Sequence, residues 1–165
     1  MKAAKPKPAG SDDSAREVKI TRLIHAPREL VWEAYTDAKH IGQWWGPKGF
    51  SITTQEIAIK PGGTWRFIMH GPDGTNYPNL IVYTELRKPE YIALEHGGAT
   101  LDEPGHFSSV ITMDAKGANT LLTLRAIFAT AAERDEVVKR SNAIEGGNQT
   151  IDRLEAHLAE MARRG

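Results

Sequence analysis

Hydrophobic and polar positions alternate along most of the chain between residues 17 and 128, as expected of β-strands that bury one face. Turn residues rich in Gly, Pro and Asp separate the alternating segments. Because these segments follow one another through short turns, we expect an antiparallel sheet. The pattern predicts about seven strands, at Glu17–His25, Phe50–Ile59, Thr64–His70, Leu80–Leu86, Tyr91–His96, Phe107–Met113 and Leu121–Phe128.

Two regions change to helical spacing. After the first strand, Pro27–Thr36 carries apolar residues three and four apart, and Asp37 is placed to cap a second short helix. Near the C-terminus, Thr130 and Glu133 form a capping sequence that begins a short helix to about Arg140, and a long helix then runs to about Arg163. An apolar seam on such a helix must lie on an apolar surface, and one face of the sheet is large enough. The seam consists of Ile144, Ile151, Leu154, Leu158 and Met161.

These elements predict an α+β fold, in which a curved antiparallel sheet of about six or seven strands wraps around the long C-terminal helix. The chain has 165 residues, which suits one domain. Residues 1–15 are mostly Lys, Pro, Gly and Ser with little to bury, and we expect a disordered tail there. The domain is then expected to span residues 16–165.

Charge and cysteine content exclude several classes of protein. The chain has 21 basic and 21 acidic residues, a balance that argues against bulk-charge binding of nucleic acid. It contains no cysteine, which excludes disulfides, thiol nucleophiles and thiolate metal sites and suits the cytoplasm. No stretch is long and apolar enough to predict a membrane span. We expect no metal site and no cofactor.

Several motifs, in this order and spacing, resemble the START-like (SRPBCC) superfamily and, within it, the branch of activator of heat-shock protein ATPase homologues. The resemblance covers about residues 17–162 and implies the helix-grip fold. Superfamily members bind lipids, polyketides or hormones, or act as cyclases or co-chaperones, so the fold leaves the function open. The motifs are Ala26–Asp37, Trp44–Pro47, Lys60–Phe67, Gly71–Gly74, Pro89-Glu90, and Glu145–Thr150 followed by Leu154.

Strand alternation predicts which side chains line the face under the long helix. Residues two apart on a strand share a face, and the resulting wall is aromatic with few polar groups, as in small-molecule sites. Ordinary core packing explains each of these residues as well. The expected ligand-binding residues are Trp45, Trp65, Phe67, Met69, Ile81, Tyr83, Glu85, His96, Phe107, Gly147, Ile151 and Leu154.

Two consecutive glycines near the start of the long helix need an explanation. Each of Gly146 and Gly147 costs the helix roughly 1 kcal/mol relative to alanine. Either a close approach between the helix and the sheet or space for a ligand would compensate. The sequence leaves both explanations open.

The leading hypothesis is a small cytoplasmic protein that binds a hydrophobic or aromatic molecule between the sheet and the long helix. A second is a cyclase-like or hydrolase-like enzyme, in which Glu85 and His96 lie within hydrogen-bond reach of each other and serve as acid and base. A third is a co-chaperone-like module, which would expose a large apolar patch. A homodimer formed through an edge strand stays open as well.

Overall fold

The computed structural model describes residues 14–102 and 106–164, apart from the side chains of Ser14 and Ser141. The expected tail lies outside the described residues except for its last two positions, which begin a short 3-10 turn, Ser14–Arg16. Seven strands and four helices follow within the described ranges. They are β1 Glu17–Ile24, α1 Arg28–Thr36, α2 Ala38–Trp44, β2 Ser51–Ile57, β3 Thr64–His70, β4 Asn76–Arg87, β5 Tyr91–Gly97, β6 Phe107–Lys116, β7 Asn119–Phe128, α3 Ala131–Ser141 and α4 Ala143–Arg164.

The seven strands form one antiparallel sheet in the order β1-β7-β6-β5-β4-β3-β2. Strands β2 to β7 are neighbours in sequence and in space, whereas β1 lies at the far edge beside β7. Helices α1 and α2 therefore connect the two edges of the sheet. This architecture confirms the predicted α+β helix-grip fold, with a curved sheet and a long C-terminal helix.

Helix α4 lies along the inner face of the sheet. Its apolar seam is buried, with Leu154 0% and Leu158 3% exposed. Arg22, which points inward from β1, donates to Asp152 at 2.5 Å and to Glu155 at 2.8 Å. The first residue expected in the seam, Ile144, is 43% exposed, because it lies before the point at which α4 reaches the sheet.

The two glycines of α4 have different surroundings. A β-carbon on Gly147 would lie 2.5 Å from Cδ1 of Ile20 on β1, so this glycine allows a close approach between helix and sheet. A β-carbon on Gly146 would make only an ordinary 3.6 Å contact with Pro47. The close approach therefore explains Gly147, and no steric contact requires Gly146 to be glycine.

We expect Gly146→Ala to raise the free energy of unfolding by about 0.5–1 kcal/mol, because alanine restricts the unfolded chain and favours the helix. Gly147→Ala gains the same helix propensity but must displace Ile20, so it should be less stable than Gly146→Ala. Urea denaturation of the two variants measures this difference. Equal stabilisation by both would show that α4 is not held against β1 at this point.

Candidate ligand-binding site

The middle of the inner face is filled with side chains. Trp65, Phe67, Ile81 and Leu154 are each 0% exposed. A side chain that lined a void large enough for water would have accessible surface facing that void. These four side chains have none, so no such void touches them. The rings of Trp65 and Phe67 stack with centroids 4.0 Å apart. In this structure these residues, with Ile151 at 1% exposure, pack as core.

One end of the same face is only half-buried. At this end β3 and β5 finish and β6 begins, and the register sets His96 opposite Phe107 with ring centroids 4.9 Å apart. Trp45, from the loop after α2, lies 6.3 Å from His96 between ring centroids. Met69 is half-buried at the same end. We call Trp45, Met69, His96 and Phe107 the aromatic mouth.

The loop that carries Trp45 is fixed to α4 by Arg153. One guanidinium nitrogen of Arg153 donates to the carbonyl oxygens of Trp45, Gly46 and Pro47 at 3.2, 2.9 and 3.0 Å. Gly46 has a φ of +98°, which favours glycine, and a β-carbon there would lie 3.0 Å from the sulfur of Met69. Arg153 is thus a positioning residue that the sequence analysis missed.

His96 and Asn79 form a polar pair at the aromatic mouth. Nε2 of His96 lies 2.8 Å from Oδ1 of Asn79. Burial, and secondarily the charge of His106, lower the pKa of His96 to about 4. The imidazole is therefore neutral near pH 7, and its Nε2–H donates to Asn79. This arrangement leaves Nδ1 of His96 as a hydrogen-bond acceptor.

The hydroxyl of Tyr83 is buried without a hydrogen-bond partner among the described residues. Tyr83 is 1% exposed, and burial raises its pKa above the ordinary value. An unsatisfied buried polar group costs about 1–3 kcal/mol. The inner face therefore contains a polar atom that a ligand could satisfy.

The expected inward orientation of Glu85 is wrong. The register between β4 and β5 shifts between Tyr83 and Glu85, so that Tyr83 lies opposite Leu94 and Glu85 lies opposite Ala93. This bulge turns Glu85 to the other face, where it is exposed and 2.9 Å from Nε of Arg87. Because His96 faces inward opposite Ile81, the two residues do not form the expected acid–base pair.

The low pKa of His96 makes stability depend on pH. Because the folded-state pKa, about 4, lies below the unfolded value of 6.5, the unfolded chain binds the proton more tightly. The contribution of His96 to the free energy of unfolding is therefore fully present above pH 6.5. About 2–3 kcal/mol of that free energy is lost as the pH falls toward 4.

We expect His96→Gln to remove much of this dependence. Urea denaturation of both proteins at several pH values across this interval measures the difference. Other titrating groups are present in both proteins and cancel in the comparison. Parallel loss of stability in the two proteins would contradict a His96 that is neutral in the folded state.

Comparisons with known proteins agree with this architecture. Among curated proteins no match is found. A solution structure from Arthrobacter aurescens aligns with a TM-score of 0.82 at 24% identity, covering 92% of this chain and 90% of that one. A crystal structure from Mycobacterium smegmatis aligns with a TM-score of 0.80 at 25% identity, covering 94% and 99%.

Within the described residues no helix has the length and apolarity needed to cross a membrane.

The family assignment comes from the sequence itself. The family model "Activator of Hsp90 ATPase homolog 1-like protein" matches residues 25–159. The chain therefore belongs to this family and is a small domain of the ligand-binding or chaperone-associated kind.

Proposed function

We propose that the protein binds a small molecule with an aromatic or flat apolar part at the aromatic mouth, under the N-terminal half of α4. The observation that carries this proposal is the contrast along the inner face. Its middle is sealed, whereas Trp45, Met69, His96 and Phe107 remain half-buried at one end. Aromatic and sulfur-containing side chains with one polar pair are a typical composition of ligand sites.

The polar atoms narrow the chemistry of the ligand. Nδ1 of neutral His96 accepts a hydrogen bond, so a ligand N–H or O–H suits this position. The hydroxyl of Tyr83 lies deeper and lacks a partner. A ligand with a flat apolar body and a hydrogen-bond donor at one end would satisfy Nδ1 of His96, whereas the hydroxyl of Tyr83, which is 1% exposed, becomes accessible only if the core opens. Contact with the expected residues Trp65, Ile81 and Leu154 requires the packed core to open.

The exposed apolar residues favour ligand binding over a chaperone-binding surface. The large exposed hydrophobic residues of the described chain are Leu23, Tyr77 and Ile144, at 41%, 43% and 43% exposure. They belong to β1, β4 and α4, three different elements.

A chaperone contact, a homodimer and a cytoplasmic location stay predictions.

Native mass spectrometry of freshly purified protein tests the proposal. We expect a stoichiometric adduct that mild organic extraction releases and that Phe107→Ala retains poorly. Leu23→Ala, which removes an exposed apolar side chain elsewhere, should keep the adduct. An adduct held equally by both variants would contradict the proposed site. A bare mass together with no saturable binding of aromatic compounds would contradict the proposed function.

A further inference from the structure

A second group of chemically active side chains lies where α1 meets α2, away from the aromatic mouth. Asp37 follows α1 and caps α2, and its Oδ1 accepts a hydrogen bond from the backbone N–H of Lys39 at 2.8 Å. Glu33 lies one helical turn before Asp37, and His40 lies three residues after it. Ligand atoms of Glu33, Asp37 and His40 all lie within 4.8 Å of one another.

His40 is oriented by a second imidazole. Its Nδ1 lies 2.9 Å from Nε2 of His157 on α4, and its Nε2 lies 3.4 Å from Oε2 of Glu33. The nitrogen that faces the carboxylates is therefore the one not bonded to His157. Metal-binding histidines usually have their second ring nitrogen hydrogen-bonded in this way, which fixes the ring and the tautomer.

Two members of the cluster, Glu33 and Asp37, also line a neighbouring cleft of about 510 Å³. The charged residues that line this cleft are Glu29, Glu33, Asp37 and Lys88. Three carboxylates thus face one ammonium, and the field in the cleft favours cations. The side chain of His40 is 21% exposed and that of Glu33 is 53% exposed, so an ion can reach both.

Although the sequence alone led us to expect no metal site, we propose that Glu33, Asp37 and His40 bind a divalent transition-metal cation of the zinc type. The ligands are Nε2 of His40 and one carboxylate oxygen from each acidic residue, and water completes the coordination. An imidazole together with carboxylates suits zinc, whereas calcium and magnesium prefer oxygen ligands alone. His157 is a positioning residue for His40.

This cation site does not depend on the proposed small-molecule site. The two sites share no residue, because Glu33, Asp37, His40 and His157 all lie outside the aromatic mouth. Metal at this corner would connect α1 with α2 and, through His157, hold both against α4. Failure of one proposal therefore leaves the other standing.

Isothermal titration of zinc chloride into the chelator-stripped full chain tests the cation site. We expect one saturable site that His40→Asn and Glu33→Gln each weaken at least about tenfold. Asp37→Asn should also weaken binding while keeping a good helix cap, because Asn caps as well as Asp. His70→Asn, a histidine outside the cluster, is the matched control and should bind zinc as the original protein does.

Nitrogen NMR of the imidazoles provides a second readout. Zinc should strongly change the nitrogen chemical shift of Nε2 of His40. His157→Ala should weaken zinc binding less than His40→Asn does. Circular dichroism of the metal-free variants shows which remain folded; if His40→Asn does not fold, the exposed Glu33→Gln variant decides the test. Zinc binding that survives both Glu33→Gln and Asp37→Asn, or no saturable binding, overturns the proposal.

Discussion

Replacing Trp65 by alanine is expected to lower the free energy of unfolding by about 3–5 kcal/mol. The indole is 0% exposed, stacks on Phe67 at 4.0 Å and donates from Nε1 to the hydroxyl of Thr54 at 3.1 Å. Its removal leaves a cavity in the middle of the inner face and breaks the hydrogen bond to Thr54. Urea denaturation followed by circular dichroism measures the loss.

Trp65→Phe is the matched control, since it keeps an aromatic ring in the core. We expect this variant to lose less stability than Trp65→Ala. The size of the loss distinguishes a packed core from the wall of a ligand cavity. A loss below about 1 kcal/mol for Trp65→Ala would show that the indole borders empty space in solution.

Phe107→Ala is expected to weaken binding of the fluorescent probe 1-anilinonaphthalene-8-sulfonate by at least about tenfold, or 1.4 kcal/mol. Phe107 packs against His96 at 4.9 Å and Phe128 at 5.1 Å between ring centroids, so alanine removes a central wall of the aromatic mouth. Because Phe107 is half-buried, stability should fall less than for Trp65→Ala. Fluorescence titration measures the affinity.

Leu23→Ala controls for loss of apolar surface as such. Leu23 is 41% exposed and lies on the outer face of β1, opposite Leu121. Probe binding should be unchanged in this variant. If Leu23→Ala and Phe107→Ala weaken binding equally, the probe does not report on the aromatic mouth.

Strand alternation predicted the fold and most of the inward-facing residues. Trp65, Phe67 and Ile81 face inward as expected, because a regular strand sends every second side chain to one face. Glu85 is the exception. The bulge after Tyr83 adds one residue to β4, and no turn residue or proline in the local sequence indicates it.

Strand β4 also begins earlier than the sequence pattern predicts. The structure starts it at Asn76 and includes Pro78, which lies opposite Ile68 of β3. Pairing with β5 begins only at Leu80, so near Pro78 the strand has a neighbour on one side. A proline is tolerated where one side of the strand needs no ladder hydrogen bond.

The remaining features depend on contacts between distant parts of the chain. Arg153 reaches carbonyl groups more than a hundred positions away, and His40 meets His157 across a similar separation. Neither residue stands out in its local sequence. Gly147 did stand out as a costly helical residue, but only the position of Ile20 shows that a close helix–sheet contact explains it.

Mapping of 1-anilinonaphthalene-8-sulfonate by two-dimensional NMR tests the central claim most directly. We expect the largest shifts at the indole N–H of Trp45, the methyl group of Met69, and the amides of His96 and Phe107. The resonances of Leu23 should not shift. Shifts confined to other surfaces, with Trp45 and Phe107 unmoved, would contradict a binding site at the aromatic mouth.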